Sequence, residues 1–251
     1  MSATRKWVRD LAVAASLVLL LGTVCYLVFA KLHFQSNWAA VWRYRALFVE
    51  GWVTTVAIAG LALVSSTAIG ALLVVARRCG IAPLRIAGRV YTELIRGTPL
   101  LVQILIGYYI VANALGLDSQ ILIGVVLLSA FAGAYLGEIF RGGIEGVGRS
   151  QFESARAVGF DRWQSYRYVI LPQAVRRTLP AVTGQFVSLI KDSSLLSVIG
   201  IAELTQQARI ANSATYSSLE GFIVLAIGYL ALTLPLSWLA TALECRFAYE
   251  S

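Results

Sequence analysis

Two adjacent ionisable residues, Lys191 and Asp192, stand inside an otherwise apolar stretch, Leu179–Ile201. Ser193 and Ser194 follow them, so the polar interruption is four residues long. Charged groups within a membrane-length apolar stretch are costly and usually face a cavity or a partner. The pattern is suited to a route for a zwitterionic or charged solute, with Lys191 facing a carboxylate and Asp192 an ammonium group. A buried structural charge network at a kink is the alternative.

Other residues that could carry chemistry are scarce. Cys25, Cys79 and Cys245 lie in or beside apolar segments without the spacing of metal ligands, and isolated cysteines behave as small hydrophobes. The single histidine, His33, cannot form a metal site by itself, so we expect no metal. No lysine follows a glycine, which excludes a Gly-Lys-Ser/Thr phosphate-binding loop. If ATP drives this protein, another chain binds the nucleotide.

The composition indicates a membrane protein. Of the 251 residues, 58% are hydrophobic and 14% are charged. A soluble domain carries about a quarter of charged residues, and so few charges cannot cover a water-facing globule. The net charge of +8 comes from short blocks of arginines between apolar runs, which favours a topological role over nucleic-acid binding.

Six apolar stretches approach the length that a helix needs to cross about 30 Å of hydrocarbon. They are Leu11–Ala30 and about residues 52–76, 97–117, 119–138, 179–201 and 221–243. Helices are expected because backbone groups must be satisfied within each span. The sequence therefore predicts an all-α integral membrane protein with six transmembrane helices. We expect Leu11–Ala30 to be retained, since it is too long for the core of a signal peptide.

The distribution of arginine and lysine predicts the orientation. The N-terminal tail, the loop 77–96, the loop 141–177 and the C-terminal tail together carry sixteen, against four in the alternate loops. The chain termini and the loop 141–177 are therefore expected in the cytoplasm. On the opposite side, an interfacial helix is expected from Trp38, Val41, Trp42, Arg45 and Val49.

Two short amphipathic helices are predicted in the loop 141–177. Ser150 and Glu153 have the spacing of a capping box, and Gly159 is suited to end the helix. Asp161 and Gln164 have the same spacing at the start of a second helix. The apolar side chains expected on the inner faces are Phe152, Ala155, Val158, Trp163, Tyr166 and Ile170.

Pro172 is expected to force Leu171 out of the helical region. From the residues alone, this charged loop suits either a docking partner or lipid headgroups, where arginines meet anionic lipid.

The chain from Glu153 to Pro172 resembles the EAA motif of ATP-binding-cassette (ABC) importer permeases. It contains Glu153-Ser154-Ala155, Gly159 and Val169-Ile170-Leu171-Pro172 at the spacing of the motif. Serine and valine stand where alanine and isoleucine are usual. In that family the motif forms coupling helices that dock in a groove of the ATPase subunit. The resemblance implies coupling roles for Glu153, Ser154, Ala155, Gly159, Phe160, Leu171 and Pro172.

Further stretches resemble polar amino acid permeases of that family. Glu93–Gln103 is similar to their "RGTPLLVQ" signature, and Lys191–Leu195 with Glu203 is similar to their "KDTSL…EL" string. The resemblance covers about residues 47–245 and implies a type I ABC importer core of five helices, in a domain 47–251. Residues 1–46 would add a tail, one span and the outer interfacial helix.

Roles outside the coupling loop are expected as follows. Lys191, Asp192, Ser193 and Gln103 are candidates for the solute path. Glu138 and Arg141 lie three apart and are expected to pair on one helix face. The residues expected in structural or gating roles are Arg96, Gly97, Thr98, Pro99, Glu138, Arg141 and Glu203.

The resemblance implies a non-enzymatic permease subunit for polar amino acids in the bacterial inner (cytoplasmic) membrane. Its expected partners are two cytoplasmic ABC ATPase subunits, a second permease copy or paralogue, a periplasmic or lipid-anchored amino acid-binding protein and membrane lipid, with no nucleic acid. This chain would hold no cofactor, and ATP and Mg²⁺ would bind the ATPase. An ion-coupled carrier, which predicts intramembrane acids and internal repeats, and a non-transporting scaffold for an ATPase are the alternatives.

Overall fold

The computed structural model describes residues 37–247 and, in the first apolar stretch, residues 13, 15, 16, 19, 20, 22–24, 26 and 27. The chain divides into two compact units, Met1–Ala39 and Ala40–Ser251. The described residues of the first stretch are helical and exposed. Cys25, His33 and the remainder of Leu11–Ala30 lie outside the described residues, so the predicted first span stays a prediction.

Between residues 37 and 247 every regular element is helical. The α-helices are α1 (Trp38–Arg43), α2 (Arg45–Arg78), α3 (Ala82–Gly97), α4 (Leu100–Ile106), α5 (Gln120–Glu145), α6 (Arg149–Ala157), α7 (Arg162–Gln164), α8 (Leu171–Asp192), α9 (Leu204–Thr215) and α10 (Ser218–Phe247). Two π-helical segments, Gly107–Ala112 and Ser165–Ile170, follow α4 and α7, and a 3₁₀ segment, Ser193–Ile199, follows α8.

The described helices fit a membrane protein. Within the described residues, α2, α5 and α10 are each long and apolar enough to cross a membrane, and α3 with α4 forms a bent pair of 108° that also qualifies as a broken span or a re-entrant loop. Helix α8 carries four charged residues and does not meet the same test. Its crossing of the membrane, predicted for residues 179–201, stays a prediction.

Close packing of α2 on α5 organises the core. A Cβ on Gly70 would meet Leu136 and the backbone of the next residue within about 3 Å, so glycine lets the two helices approach. The larger cluster of buried side chains joins α2, α4, α5, α8 and the 3₁₀ segment, and its members include Ile58, Ile104, Leu128, Leu189, Leu196 and Ile201. This cluster positions the segment that follows Lys191 and Asp192.

Two expectations about the loops differ from the structure. The loop expected between residues 77 and 96 contains the helix α3. Polar residues on one face of α3 and apolar residues on another give it a low average hydropathy, so a search for apolar stretches does not detect it. The outer interfacial helix is short, because α1 ends at Arg43 and Arg45 already begins α2. No proline or glycine separates Arg45 from Val49, so the chain enters the long helix early.

Candidate functional site in the loop between α5 and α8 and the polar segment behind it

The two helices expected in the loop are present, with one cap placed differently. Helix α6 begins at Arg149 with Gly148 as its N-cap, so Ser150 lies within the helix and the predicted Ser150–Glu153 capping box is wrong. Gly159 has φ +87°, the left-handed conformation that glycine adopts at low cost, and ends the helix as predicted. The second capping box is confirmed.

In that box, the Asp161 carboxylate accepts a hydrogen bond from Gln164 N at 2.7 Å, and the Gln164 side-chain oxygen Oε1 accepts one from Asp161 N at 2.9 Å.

A small apolar cluster holds the loop in shape. Val147, Ile170 and Ala174 are buried together, and Phe152 and Tyr166 pack against them with ring centroids 5.6 Å apart. Arg78 at the end of α2 donates to the Tyr166 hydroxyl at 3.1 Å. The loop is therefore fixed to the ends of the long helices.

Two side chains of the expected inner faces point outward instead. Val158 is 72% exposed and Trp163 is 70% exposed, whereas Ala155 is buried. Both outward residues flank the turn at Gly159, where the chain reverses and the helical periodicity that placed them inside no longer applies. They add apolar area to an otherwise charged surface.

The outer surface of the loop contains a cavity of about 400 Å³. Its lining residues are Arg149, Phe152, Glu153, Arg156, Arg162, Ser165 and Tyr166. Arg149 Nε lies 3.5 Å from Glu153 Oε1, and the two side chains are 94% and 70% exposed. We call these seven residues the loop cavity. An exposed charged rim around an aromatic floor is suited to receiving a side chain from a protein partner.

The remaining EAA residues do not line the loop cavity. Ser154 is exposed, and Phe160 N donates to Ala155 O at 3.0 Å to close the turn. Leu171 and Pro172 are exposed at the start of α8. Leu171 is helical (φ −62°, ψ −44°), so the expected break before Pro172 is wrong. The π-helical segment shifts the hydrogen-bonding register ahead of the proline, which removes the clash that a regular helix would suffer.

Glu138, near the C-terminal end of α5, forms a cluster with three arginines. It accepts from Arg141 at 2.6 Å, as predicted, and it also pairs with Arg77 of α2. Arg96 of α3 lies with its Nη1 3.9 Å from Glu138 Oε2, and its guanidinium group stacks over the Tyr135 ring. We call Glu138 with Arg77, Arg96 and Arg141 the Glu138 cluster. Sequence reasoning found one of its pairs and missed Arg77, which is 61 positions away.

The segment Arg96-Gly97-Thr98-Pro99 forms the bend between α3 and α4. Gly97 ends α3 and Pro99 is the N-cap of α4, where its missing N–H costs nothing. The Gln103 amide nitrogen donates to Ile95 O, Thr98 O and Thr98 Oγ1 at 2.7, 3.0 and 2.8 Å. These bonds give Gln103 a structural task at the bend, and its place in a solute path stays a prediction.

The polar segment after α8 is only partly open to its surroundings. Lys191 is exposed, Asp192 is half-buried and Ser193 is buried, with its hydroxyl donating to Ile190 O at 2.7 Å. The structure thus brings Lys191 and Asp192 to the end of one helix but turns Ser193 toward the protein. The contribution of Lys191 and Asp192 to a solute path stays a prediction.

Glu203 is fully buried and caps α9. It accepts from Thr205 N and Gln206 N, each at 2.9 Å, and from the Tyr229 hydroxyl of α10 at 2.8 Å. Burial raises the pKa of the Glu203 carboxyl, and these donated hydrogen bonds oppose the rise. The expected structural role agrees with this geometry, and Tyr229 is a partner that no sequence motif indicated.

The loop is continuous with the polar segment. Helix α7, the π-helical segment and α8 follow one another from Arg162 to Asp192 without an intervening turn. At about 1.5 Å per residue, this run is roughly 45 Å long. A helical rod thus begins at the loop cavity and ends at Asp192.

Comparison with known proteins gives the family. Residues 79–249 match the family described as binding-protein-dependent transport system inner membrane component. The glutamine transport system permease protein GlnP of Escherichia coli K12 is 38% identical over 215 residues, which are 84% of this chain and 98% of that protein.

Solved structures agree. An amino acid ABC transporter whose crystal structure contains histidines is 36% identical, with a TM-score of 0.79 over 85% of this chain and all of that chain. The inward-facing MetNI methionine ABC transporter is 17% identical with a TM-score of 0.68 over 82% of this chain and 98% of that chain, which shows a shared fold. The chain therefore belongs to the family of inner membrane components of binding-protein-dependent transport systems and is a permease subunit of an ABC importer.

Proposed function

We propose that this chain, with a second permease copy or paralogue, forms the solute path of an ATP-driven importer of polar amino acids in a bacterial inner membrane. Its similarity to a glutamine permease and to an amino acid ABC transporter supports this class of solute. A periplasmic or lipid-anchored binding protein delivers the solute, and both chain termini face the cytoplasm. Among the candidate amino acids, glutamine is the first to test.

The observation that carries the proposal is the loop cavity at one end of a continuous helical rod. Two cytoplasmic ATPase subunits, which bind ATP and Mg²⁺, dock on the loops of the two permeases. Glu153, Arg156 and Trp163 are exposed and available to them. When the ATPases close, the loops approach each other and each rod carries the movement to Lys191 and Asp192. Hydrolysis reverses the movement. This chain makes and breaks no covalent bond.

Lys191 and Asp192 supply opposite charges that match the two charged groups of an amino acid. Lys191 attracts the carboxylate and Asp192 the ammonium group of the solute as it passes. Ionisable side chains within a membrane protein usually face a cavity or a partner, which supports a location of Lys191 and Asp192 on the solute path.

The Glu153→Lys variant tests the coupling to an ATPase. Reversing a charge within a solvated docking surface costs about 2 kcal/mol, so we expect affinity for the ATPase to fall roughly 30-fold, with loss of ATP-dependent glutamine uptake. Copurification of the ATPase from native membranes and uptake into proteoliposomes measure the two effects. Asp118→Lys, the same change in an exposed outer loop, is the matched control.

Either of two results would contradict the coupling proposal. One is wild-type binding of the ATPase by the Glu153→Lys variant. The other is uptake by the wild-type protein that continues without ATP, which would favour an ion-coupled carrier.

Variants of the polar segment test the path itself. Lys191→Ala and Asp192→Ala are expected to abolish uptake while the complex still assembles and hydrolyses ATP, because the missing charge removes one recognition group. Ser194→Ala, two residues farther along, is the matched control. Unaltered uptake in the Lys191 and Asp192 variants would remove both residues from the path.

A further inference from the structure

Helix α3 divides into three longitudinal faces, and one of them packs on the protein. Gly88 and Thr92, one helical turn apart, are buried. A Cβ on Gly88 would contact the side chain of Arg77, so α3 lies close to the end of α2. On the same side, the Tyr91 hydroxyl donates to Ala130 O in α5 at 2.7 Å. These contacts fix the rotation of α3 about its own axis.

A second face is apolar and uncovered within the described residues. Ile86, Val90 and Leu94 follow one another at four-residue intervals and are 60%, 47% and 63% exposed. Side chains with this spacing form one ridge along a helix. We call Ile86, Val90 and Leu94 the apolar row.

The third face is basic. Arg85, Arg89 and Arg96 lie on it with one acid, Glu93, which gives three positive charges against one negative charge. Neither Arg85 nor Arg89 forms an ion pair with a residue that the structure describes. We call the three arginines the basic row. It runs beside the apolar row, because consecutive residues of a helix are separated by about 100°.

A cavity of about 390 Å³ opens at the C-terminal half of the basic row. Its lining residues are Arg77, Arg89, Thr92, Glu93, Arg96, Gly97 and Glu138. The lining carries Arg77, Arg89 and Arg96 against Glu93 and Glu138, which leaves a balance of one positive charge. The cavity is therefore suited to an anionic group.

The direction of α3 is compatible with both rows lying along a membrane surface. The axis of α3 makes an angle of 108° with the axis of α4. If α4 runs across the membrane, α3 runs nearly along its surface. A surface helix with apolar side chains on one flank and arginines on the next is the arrangement that binds the interface of an anionic bilayer.

We propose that α3 is an interfacial helix that binds anionic phospholipid on the cytoplasmic side of the membrane. The apolar row enters the acyl-chain region, and Arg85 and Arg89 contact lipid phosphates, with one headgroup in the cavity beside Arg96. Contact with a second copy of this chain through the same surface is disfavoured, because a two-fold axis would bring the arginines of both copies together.

Lipid selectivity of the reconstituted transporter tests this inference. The complex is placed in nanodiscs of phosphatidylcholine and phosphatidylglycerol, and electron paramagnetic resonance compares the association of spin-labelled forms of the two lipids. Each arginine near the surface contributes about fivefold to anionic selectivity, so Arg85→Gln with Arg89→Gln should lower it about 30-fold at the α3 site. Arg85→Lys with Arg89→Lys should retain it. Arg209→Gln, an exposed arginine on α9, should leave it unchanged.

Three results would overturn the inference. They are unchanged selectivity in the double glutamine variant, an equal loss in Arg209→Gln, and capture of protein at the apolar row. For the last, p-benzoylphenylalanine is placed at Val90 and irradiated. A lipid adduct supports the proposal, and a covalent dimer of two permease chains identifies a second copy as the occupant instead.

Discussion

Two glutamates, Glu153 in the loop and Glu138 near the C-terminal end of α5, both lie beside arginines but in different surroundings. Glu153 is 70% exposed, and its pair with Arg149 spans 3.5 Å between two solvated side chains. The Glu138 side chain is 17% exposed and lies among three arginines that come from α2, α3 and α5. The same residue type therefore has one solvated and one largely desolvated environment within the same fold.

The difference follows from desolvation. An exposed pair contributes about 0–1 kcal/mol, so Glu153 can exchange Arg149 for a group on a partner at little cost. Glu138 has lost most of its water, and it would be strongly destabilising without its arginines. The Glu138 cluster joins the ends of the long helices, whereas docking is the role that we propose for the exposed loop charges.

The largest expected effect is that of Glu138→Gln on stability. The substitution leaves Arg77 and Arg141 without their carboxylate partner in a poorly solvated site, and we expect a loss of about 3 kcal/mol in the free energy of unfolding. Thermal unfolding of the detergent-solubilised complex, followed by tryptophan fluorescence, measures it as a lower Tm.

Two controls decide whether the comparison holds. The Glu145 side chain, a partner of Arg141, is 53% exposed. Glu145→Gln should therefore change the free energy of unfolding by less than about 1 kcal/mol. Glu153→Gln should behave in the same way. The comparison between the two glutamates would fail if Glu153→Gln lowered Tm as much as Glu138→Gln.

The second prediction concerns the junction between the two regions, where α5 crosses α8. A Cβ on Gly143 would overlap Cγ2 of Thr178, whereas a Cβ on Gly142 would meet no atom within 4 Å. Gly143→Ala is expected to cost about 2 kcal/mol through overpacking. Gly142→Ala should be neutral or stabilise by up to about 1 kcal/mol, because alanine favours the helix.

A second substitution isolates the cause. Thr178→Ser removes the overlapping methyl group, so it should restore much of the stability lost in Gly143→Ala. Thermal unfolding of the single and double variants gives the coupling between the two positions. Equal effects of Gly143→Ala and Gly142→Ala would show that helix propensity, and not the crossing, determines the result.

Features with local causes could be predicted from the sequence. The long apolar helices follow from their length and hydropathy, and the Gly159 turn and the Asp161–Gln164 capping box depend on residues within four positions of each other. The Glu138–Arg141 pair lies on one helix face. In each case the cause and the consequence lie within one or two helical turns.

Features that depend on tertiary packing could not be predicted. Arg77 joins Glu138 because α2 packs on α5, and Tyr229 reaches Glu203 because α10 packs on α9. Helix α3 was expected as a loop, since its three faces average to low hydropathy. Pro172 continues a helix because a π-helical segment precedes it, and no propensity of the residues themselves indicates that shift.

The smallest expected effect is local and lies in the loop, at the Asp161 cap. Asp161→Ala removes the acceptor for Gln164 N, and the loss of a cap typically costs about 1 kcal/mol. We expect amide exchange in residues 161–170 to become about fivefold faster, measured by hydrogen–deuterium exchange mass spectrometry, while Tm changes little. Asp161→Asn keeps an acceptor at the same atom position and is the matched control.

This prediction tests whether the loop can loosen without the long helices. The apolar cluster of Val147, Ile170 and Ala174 lies beyond the cap and stays intact in the variant, so opening should stop at the C-terminal end of the π-helical segment. Faster exchange confined to residues 161–170 would show a loop with its own low opening free energy, as docking surfaces often have. Faster exchange throughout α8 would instead show that the loop and the helical rod open as one unit. The exposed charges of the loop and the charges of the Glu138 cluster would then differ in solvation but not in dynamics.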